Sequence, residues 1–391
     1  MFARRTGWRL AENRYSAALS KAGAEGTGLI DLTASNPTHC NFELNSVAIL
    51  SALAHVESLN YDPDPQGLRS ARSAVADYYN ASKLRANAPI ISPEQIFLTT
   101  STSEGYSFLF RLLCDPGDEV LAPQPSYPLF EFLADIEDVQ LRSYELFYDH
   151  GWHIDIAGLQ KAITARTRAI LLVNPNNPTG SFVRRRELEQ LATLCRARNL
   201  ALISDEVFLD YEVEGVADVS AAFSSECLSF ALSGLSKISC LPQMKLAWIV
   251  VNGPAELRTQ AHARLQMIAD TYLSVNAPIQ LALRELLTQR HQVQPQLAKR
   301  TRANLKFLDE QLKSAAGIQR LKVEGGWYAV LRIPARESDE DVAIELIRRA
   351  GVVVHPGHFY DFQRDGYLVV SLITPEEEFR KGILSVLEIV A

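Results

Sequence analysis

Between residues 95 and 204, short apolar runs alternate with longer amphipathic stretches. The run Ala169–Val173 (AILLV) is continuous, as is typical of a strand covered on both faces. Three stretches have the apolar spacing of helices that pack on one side: Thr102–Leu113, Tyr127–Ile136 and Glu187–Arg198. This alternation predicts an α/β fold in which a mostly parallel sheet is covered by helices. The strands it predicts are Gln95–Thr100, Glu119–Ala122, Ala169–Val173, Ala201–Ser204, Leu228–Leu232 and Leu246–Val251.

The pattern changes after about Asn276. A long polar helix over Gln294–Ser314 precedes two predicted strands, Gly326–Ile333 and Tyr367–Ile373, and a helix over Asp341–Ala350 lies between them. This order predicts a second, smaller α+β domain. With 391 residues, two domains are expected. We predict an N-terminal arm and part of the small domain over 1–45, a large domain over 46–285 and a small C-terminal domain over 286–391.

Composition narrows the class of protein. The hydrophobic fraction of 47% is enough for a large core, and a net charge of −7 gives no reason to expect nucleic acid as a partner. No apolar run is long enough to span a membrane. The five cysteines are scattered without a C-x-x-C pair, so we expect reduced thiols and a cytoplasmic protein. We expect no metal, since the isolated pair His355 and His358 lacks further ligands.

Lys237 lies in a loop of small and hydroxyl residues between two apolar runs. A lysine at the end of a buried strand can attack a carbonyl carbon and form a Schiff base. Most lysines are solvated surface charges, and that alternative holds for Lys237 taken alone.

A second candidate feature is the string Thr99–Tyr106. Ser101 and Glu104 form a capping-box pattern at the start of an apolar helix. The free backbone N–H groups of Thr102 and Ser103 could bind a phosphate there. A plain helix cap is the alternative.

Three more features follow predicted strands. Asn174–Gly180 (NPNNPTG) is a rigid turn in which Asn177-Pro178 is a candidate cis bond, and the string is more specific than a turn requires. Asp205 ends a buried strand, where it could pair with a protonated ring nitrogen or be a solvated acid. Tyr127 is flanked by prolines and could stack on a flat cofactor or belong to the core.

Taken together, these residues resemble the class I/II aminotransferases, the fold-type-I pyridoxal-phosphate enzymes. The resemblance extends from about Asp31 to the C-terminus. It implies pyridoxal 5'-phosphate as the cofactor, with Lys237 as its Schiff-base partner and as the acid/base that moves the substrate proton. It also implies that Asp205 pairs with the pyridine nitrogen, that Asn177 bonds the phenolic oxygen and that Tyr127 stacks on the ring.

The same resemblance implies a phosphate site and a homodimer. The residues it assigns to the phosphate are Ser101, Thr102, Ser103, Ser236 and Lys245. Tyr61 matches the tyrosine that reaches the phosphate of the neighbouring subunit, which implies two shared active sites.

Three positions depart from the family pattern. Lys245 stands where an arginine usually binds the phosphate, and Phe208 replaces a tyrosine that touches the phenolic oxygen. Val369 stands where an arginine usually binds the substrate carboxylate. Either another cation binds that carboxylate or the substrate lacks one. The other cations considered are Arg332, Arg364 and Lys322.

The function implied is a pyridoxal-phosphate aminotransferase (EC 2.6.1.-). It would move an amino group from an amino acid or amine to a keto acid in a ping-pong cycle through Lys237. A lyase or decarboxylase on the same fold is the alternative. A regulator that keeps the cofactor without turnover is a third class; we do not expect it, because the chain has no N-terminal length for a DNA-binding domain.

Overall fold

The computed structural model describes residues 1–8, 10–85 and 88–390. Its helices are α1 (Arg14–Ala24), α2 (Ser46–Leu53), α3 (Arg69–Asn80), α4 (Thr102–Leu113), α5 (Leu129–Ile136), α6 (Ile156–Ala162), α7 (Arg185–Arg198), α8 (Leu235–Ile238), α9 (Ala255–Tyr272), α10 (Ala277–Thr288), α11 (Arg290–Leu312), α12 (Asp339–Ala350) and α13 (Glu376–Val390). Its strands are β1 (Ile30–Asp31), β2 (Ile96–Thr99), β3 (Glu119–Gln124), β4 (Gln140–Tyr148), β5 (Trp152–Ile154), β6 (Thr167–Val173), β7 (Ala201–Asp205), β8 (Ser229–Gly234), β9 (Ala247–Asn252), β10 (Gln319–Arg320), β11 (Tyr328–Arg332), β12 (Val352–Val353), β13 (His355–Pro356) and β14 (Tyr367–Ser371).

The large sheet has eight strands in the order β2-β9-β8-β7-β6-β3-β4-β5. β9 is antiparallel to both of its neighbours, and β5 is antiparallel to β4, whereas the other pairs are parallel. The central strands β6, β7 and β8 are almost wholly buried, as expected when helices cover both faces. The prediction of a mostly parallel α/β sheet is therefore confirmed.

The strand register brings several loops to one edge of this sheet. Thr99 pairs with Ala247, which also pairs with Gly234, so the loops after β2 and β8 leave the sheet side by side. Asp205 pairs with Val173 on one side and Leu232 on the other. Ligand-binding groups in open α/β sheets collect at this kind of edge.

The small sheet is antiparallel, in the order β10-β11-β14-β13. Its two faces serve different cores. Val330 and Val369 pack with the side chains of the large sheet, whereas Leu331 and Leu368 pack in a second core with α12 and α13. One face of the small sheet is therefore directed towards the large one.

The N-terminal segment packs on the C-terminal part of the chain. β1 pairs in parallel with β12, and the Tyr15 hydroxyl donates to the Val354 carbonyl oxygen at 2.9 Å. We keep the division at residues 46 and 286 as a proposal that this pairing supports. Among the helices described, none combines the length and the apolar character needed to cross a membrane.

The sequence did not predict the β4–β5 hairpin. β4 has buried Tyr144 and Leu146 but several exposed neighbours, so its pattern is that of a half-exposed strand near the end of a sheet. α5 also begins at Leu129 rather than at Tyr127. Pro128 precedes it, and because proline disfavours helical geometry in the residue before it, Tyr127 stays in the loop.

Phe230 tests how much of the stability lies in the large sheet. It is fully buried in β8, so Phe230→Ala should lower the free energy of unfolding by about 3–5 kcal/mol. Val216→Ala, at a position that is 63% exposed, is the control and should change it by less than about 0.5 kcal/mol. Denaturant titration measures both; equal effects would contradict a core at this strand.

Candidate active site

Lys237 sits in a single helical turn, α8, directly after β8. Gly234 lets the end of β8 lie this close to the start of β9, because a Cβ at residue 234 would lie 2.8 Å from the Cβ of Ala247. The Tyr211 hydroxyl donates to the backbone carbonyl oxygen of Lys237 at 2.5 Å and holds the turn in place. The lysine Nζ donates to the Ser35 carbonyl oxygen at 3.4 Å. The amine is thus directed into the space between the N-terminal arm and the sheet edge.

Two aromatic rings flank this amine. The Nζ atom lies 4.8 Å from the ring centre of Trp327 and 5.5 Å from that of Phe208. Burial lowers the pKa of Lys237 to about 8, although nearby Asp205 favours the charged form. A lysine with this pKa has a substantial neutral fraction near pH 8, and the neutral amine is the nucleophile.

Asp205 is buried without a cation at hydrogen-bond distance. Its carboxylate accepts from the Tyr106 hydroxyl at 3.0 Å and from the Val207 backbone N–H at 3.1 Å. Among the described residues, no basic group lies within 4 Å of it. Burial raises the pKa of Asp205 to about 6. A protonated ring nitrogen would supply the missing cation, which fits the pairing that the family resemblance implies.

Asn177 also fits a bound ring. Its Oδ1 atom is buried without a hydrogen-bond partner in the described chain, and the Asn177-Pro178 bond is cis as predicted. The neighbouring Asn174 and Asn176 are bonded to the protein, the first to Val219 and Val183 and the second to Pro125 and Thr179. Of the three asparagines in this turn, Asn177 is the one whose side-chain amide has no partner among the described residues, and its Nδ2 group is the donor that could meet a ligand oxygen.

The N-terminus of α4 has a capping hydroxyl and also free backbone N–H groups. The Ser101 hydroxyl accepts from the Glu104 N–H at 3.2 Å, which confirms the predicted cap. The first N–H groups of a helix, here those of Thr102 and Ser103, have no acceptor inside the helix. They remain available for an anion such as phosphate.

Ser236 and Lys245 lie at the same edge. Gly234 and Ala247 are paired across β8 and β9, and the two site residues are each two positions beyond them. Lys245 is exposed and has a left-handed backbone (φ 49°). Its charge can reach an anion at the edge, but as a point charge rather than as the two-pronged donor of arginine.

The structure places the two tyrosines differently. Tyr127 follows β3 at the sheet edge, is 40% exposed and meets Phe130 edge-on with 5.8 Å between ring centres. Tyr61 is 84% exposed and lines a separate cavity of about 400 Å³ with Asp64 and Asn276. Within one chain, Tyr61 is therefore not assembled with the residues around Lys237.

Three residues of the site were not assigned a role from the sequence. Tyr106 bonds Asp205, Tyr211 bonds the Lys237 carbonyl, and Trp327 covers the lysine amine. Tyr211 could not be placed from the sequence, and it supports the lysine turn instead of facing the pocket. Trp327 directly precedes β11 and lies 90 residues from Lys237, so no local spacing points to it.

With this geometry established, comparisons with known proteins become informative. Residues 27–382 match the model of the family "Aminotransferase class I and II". The chain belongs to the class I and II aminotransferases. It is therefore an aminotransferase of fold type I, and enzymes of this family depend on pyridoxal phosphate.

Two of the similar proteins are aminotransferases, and a third is a lyase. The chain is 27% identical over 360 residues to the glutamate-pyruvate aminotransferase AlaA of Haemophilus influenzae, covering 89% of this chain and 87% of that protein. The alanine aminotransferase of Pyrococcus furiosus has the same fold, with a TM-score of 0.88, 23% identity and 99% coverage of both chains. A shorter match, 31% identical, covers 53% of this chain and 44% of the S-alkyl-thiohydroximate lyase SUR1 of Arabidopsis thaliana.

Lys237→Ala tests the lysine assignment. Wild-type protein mixed with pyridoxal phosphate and then reduced with borohydride should carry one label, on the peptide that contains residue 237. The variant should carry none, because the attacking amine is gone. Lys245→Ala is the matched control: it should still be labelled, with affinity for the cofactor weaker by about tenfold. Mass spectrometry of the digest decides, and a label that persists in Lys237→Ala would disprove the assignment.

The pKa of Lys237 gives a second test. In cofactor-free protein, the rate at which an amine-reactive ester acetylates Lys237 should rise with pH and reach its midpoint near 8, about two units below ordinary lysines. Asp205→Asn should move the midpoint lower still, because the carboxylate favours the charged amine. Peptide mass spectrometry across a pH series measures both. A midpoint at 10 or above would show that the amine is solvated.

Proposed function

We propose that this aminotransferase binds pyridoxal 5'-phosphate covalently through Lys237. The observation that carries the proposal is the coincidence, at one sheet edge, of a half-buried lysine with a lowered pKa and a buried carboxylate that lacks a cation. The orphaned Asn177 amide and the free N-terminus of α4 support the same ligand. Ring nitrogen, phenolic oxygen and phosphate would each meet one of these groups.

Each residue of the site then has a separate role at the bound cofactor. Asp205 keeps the ring nitrogen protonated, and Tyr106 and the Val207 N–H hold the carboxylate in position. Tyr127 covers one face of the ring. Lys237 would be the base that takes the proton from the amine-bearing carbon of the substrate, and its conjugate acid would deliver that proton to the cofactor. The bound cofactor supplies an electron sink for the carbanion that forms when this proton leaves.

The phosphate is held by neutral donors and one cation. Ser101, Thr102 and Ser103 supply hydroxyl and backbone N–H groups, and Ser236 and Lys245 approach from the loop after β8. Because Lys245 is exposed and lacks the forked geometry of arginine, we expect this contact to be loose.

For the substrates, we propose an amino acid or amine as the donor and a keto acid as the acceptor. The names of the relatives make alanine, glutamate and pyruvate the first compounds to test. The five cysteines are all free thiols, which supports a cytoplasmic location.

A half-reaction separates transamination from the alternatives. L-alanine added alone should convert the visible absorption of the bound cofactor to that of the aminated cofactor, with release of one pyruvate per site. Added pyruvate should restore the first spectrum. Lys237→Ala should slow this conversion by at least about a thousandfold, because proton transfer loses its base.

The partial match to a lyase gives the second candidate a specific basis. A lyase or decarboxylase would release ammonia, a thiol or carbon dioxide without converting the cofactor to its aminated form. Release of these products from a panel of amino acids, with the spectrum unchanged, would replace transamination by elimination.

We also propose a homodimer with shared active sites. The segment that leads to Tyr61 carries exposed apolar side chains: Val56 is 77% and Leu59 87% exposed. Leu59 and Tyr61 line the same cavity, which α9 borders. An apolar surface of this kind indicates an interface, and a second copy would bring its own Tyr61 across it.

Subunit mixing tests the shared site. Lys237→Ala and Tyr61→Ala should each be strongly impaired alone. When they are unfolded, mixed in equal amounts and refolded, half of the dimers should be mixed and should hold one intact site in two, which restores about a quarter of wild-type activity. Each variant refolded alone is the control. No recovery, although light scattering shows dimers, would place Tyr61 in its own chain's site.

A further inference from the structure

Val369 stands where the family usually has the arginine that binds the substrate carboxylate. Val369 is 1% exposed and lies in the middle of β14, on the face of the small sheet that is directed towards the large one. Its partners across the sheet are Val330 and His355. Tyr328 is two residues from Val330 and therefore stands on this same face. This part of the face holds a valine where the family usually has a guanidinium.

The three cations considered from the sequence do not replace it. Arg332 lies four residues beyond Tyr328, roughly 13 Å along the strand, and donates to Gln319 at 2.6 Å. Lys322 is paired with Glu324 at 3.1 Å. Arg364 is exposed and shares with Arg332 a separate cavity that Lys237 does not line.

Arg300 is a further cation near the N-terminal arm. Its guanidinium donates to the carbonyl oxygens of Cys40 and Ile373 at 3.5 and 3.3 Å and lies 5.3 Å from the ring centre of Phe42. It is thus occupied by backbone and aromatic partners. It is the strongest competitor for a substrate carboxylate, and the experiment below includes it.

A neutral donor, Trp327, lies beside the lysine instead, and the next residue, Tyr328, carries a second. Trp327 is fully buried, its ring centre is 4.8 Å from the Lys237 Nζ, and its Nε1–H has no acceptor among the described residues. The Tyr328 ring meets the same Phe208 ring that flanks the lysine, with 6.3 Å between ring centres. A buried indole N–H without an acceptor destabilises the fold, unless a ligand oxygen accepts a hydrogen bond from it.

We propose that Trp327 Nε1–H and the Tyr328 hydroxyl bind an oxygen of the substrate on the carbon next to the one that bears the amine. The enzyme then recognises that group as a hydrogen-bond acceptor rather than as an anion. Its donors are primary amines with a neighbouring carbonyl or hydroxyl oxygen, so amino amides and amino alcohols are accepted alongside amino acids. This inference rests on the proposed function and specifies the substrate class of that site.

The physical reason is the balance between charge and hydration. A guanidinium binds a carboxylate through paired charge-assisted hydrogen bonds and discriminates strongly against a neutral analogue. Neutral donors gain little from the charge, whereas the carboxylate still loses its hydration on entering the pocket. A site with a guanidinium should therefore prefer the acid of a matched acid and amide pair, whereas a site with neutral donors should not.

The experiment uses two analogues that cannot be transaminated through proton removal because they have no proton on the amine-bearing carbon: 2-methylalanine and 2-methylalaninamide. Their dissociation constants are measured by titrating the visible spectrum of the cofactor-loaded wild-type protein, at one pH and as concentrations of free amine. We expect the amide to bind within tenfold of the acid or more tightly. A preference for the acid of more than tenfold overturns the inference.

Conservative variants test the two donors. Trp327→Phe and Tyr328→Phe should each weaken both analogues by about three- to tenfold, because each removes one neutral hydrogen bond and keeps an aromatic ring. Tyr367→Phe is the matched control: Tyr367 is at the far end of β14, stacked on Phe362, and its loss of a hydroxyl should change neither affinity. If both Phe variants bind the analogues as wild type does, the assignment is wrong.

Arg300→Gln tests whether Arg300 binds the substrate carboxylate instead. It should leave the affinity for 2-methylalanine unchanged. A loss of more than tenfold for the acid alone would make Arg300 the carboxylate site and overturn the inference. Failure of the proposed function would be a different result, since the protein would then show no visible cofactor band to titrate.

Discussion

An amine and a carboxylate, both withdrawn from water and neither matched by a direct partner of opposite charge, are the constraint on which this structure depends. Burial pushes the pKa of Lys237 down to about 8 and that of Asp205 up to about 6. Each shift is a free-energy cost in the cofactor-free protein. In the proposed complex, a cationic ring would remove the cost at Asp205, and a covalent bond to the amine would remove it at Lys237.

The fold exists to bring these two groups together. Asp205 ends β7 and Lys237 follows β8, and the two strands are neighbours in the sheet. Hydrogen bonds from Tyr106 and Tyr211 then fix the carboxylate and the lysine turn. Trp327, which directly precedes β11, covers the amine from another side. The site therefore combines residues of the large sheet with one that comes just before a strand of the small sheet.

Much of this was predictable from local sequence. Apolar runs such as AILLV identified the central strands, and the ends of those strands pointed to Lys237, Asp205 and the turn at Asn177, whose roles stay predictions. The capping pattern at Ser101 placed the start of α4 correctly. These features succeed because each depends on a few consecutive residues whose burial or backbone geometry leaves a periodic or turn signature.

The remainder depends on contacts between distant segments. Tyr106 is part of an ordinary helical apolar pattern, and only its approach to Asp205, 99 residues away, gives it a role. Trp327 lies 90 residues from Lys237, and its unpartnered N–H is visible only in three dimensions. Tyr61 stays a prediction, because the partner it would reach belongs to another chain. Val369 was noticed as a departure, but what lies beside it required the strand register.

The central claim is that one lysine and one carboxylate hold a ring between them. A crystal structure of the protein grown with pyridoxal phosphate tests it most directly. The account predicts continuous electron density from Nζ of Lys237 to the ring, with the ring nitrogen at hydrogen-bond distance, about 2.7–3.0 Å, from an oxygen of Asp205. A ring bound elsewhere, or one whose nitrogen faces away from that carboxylate, would contradict it.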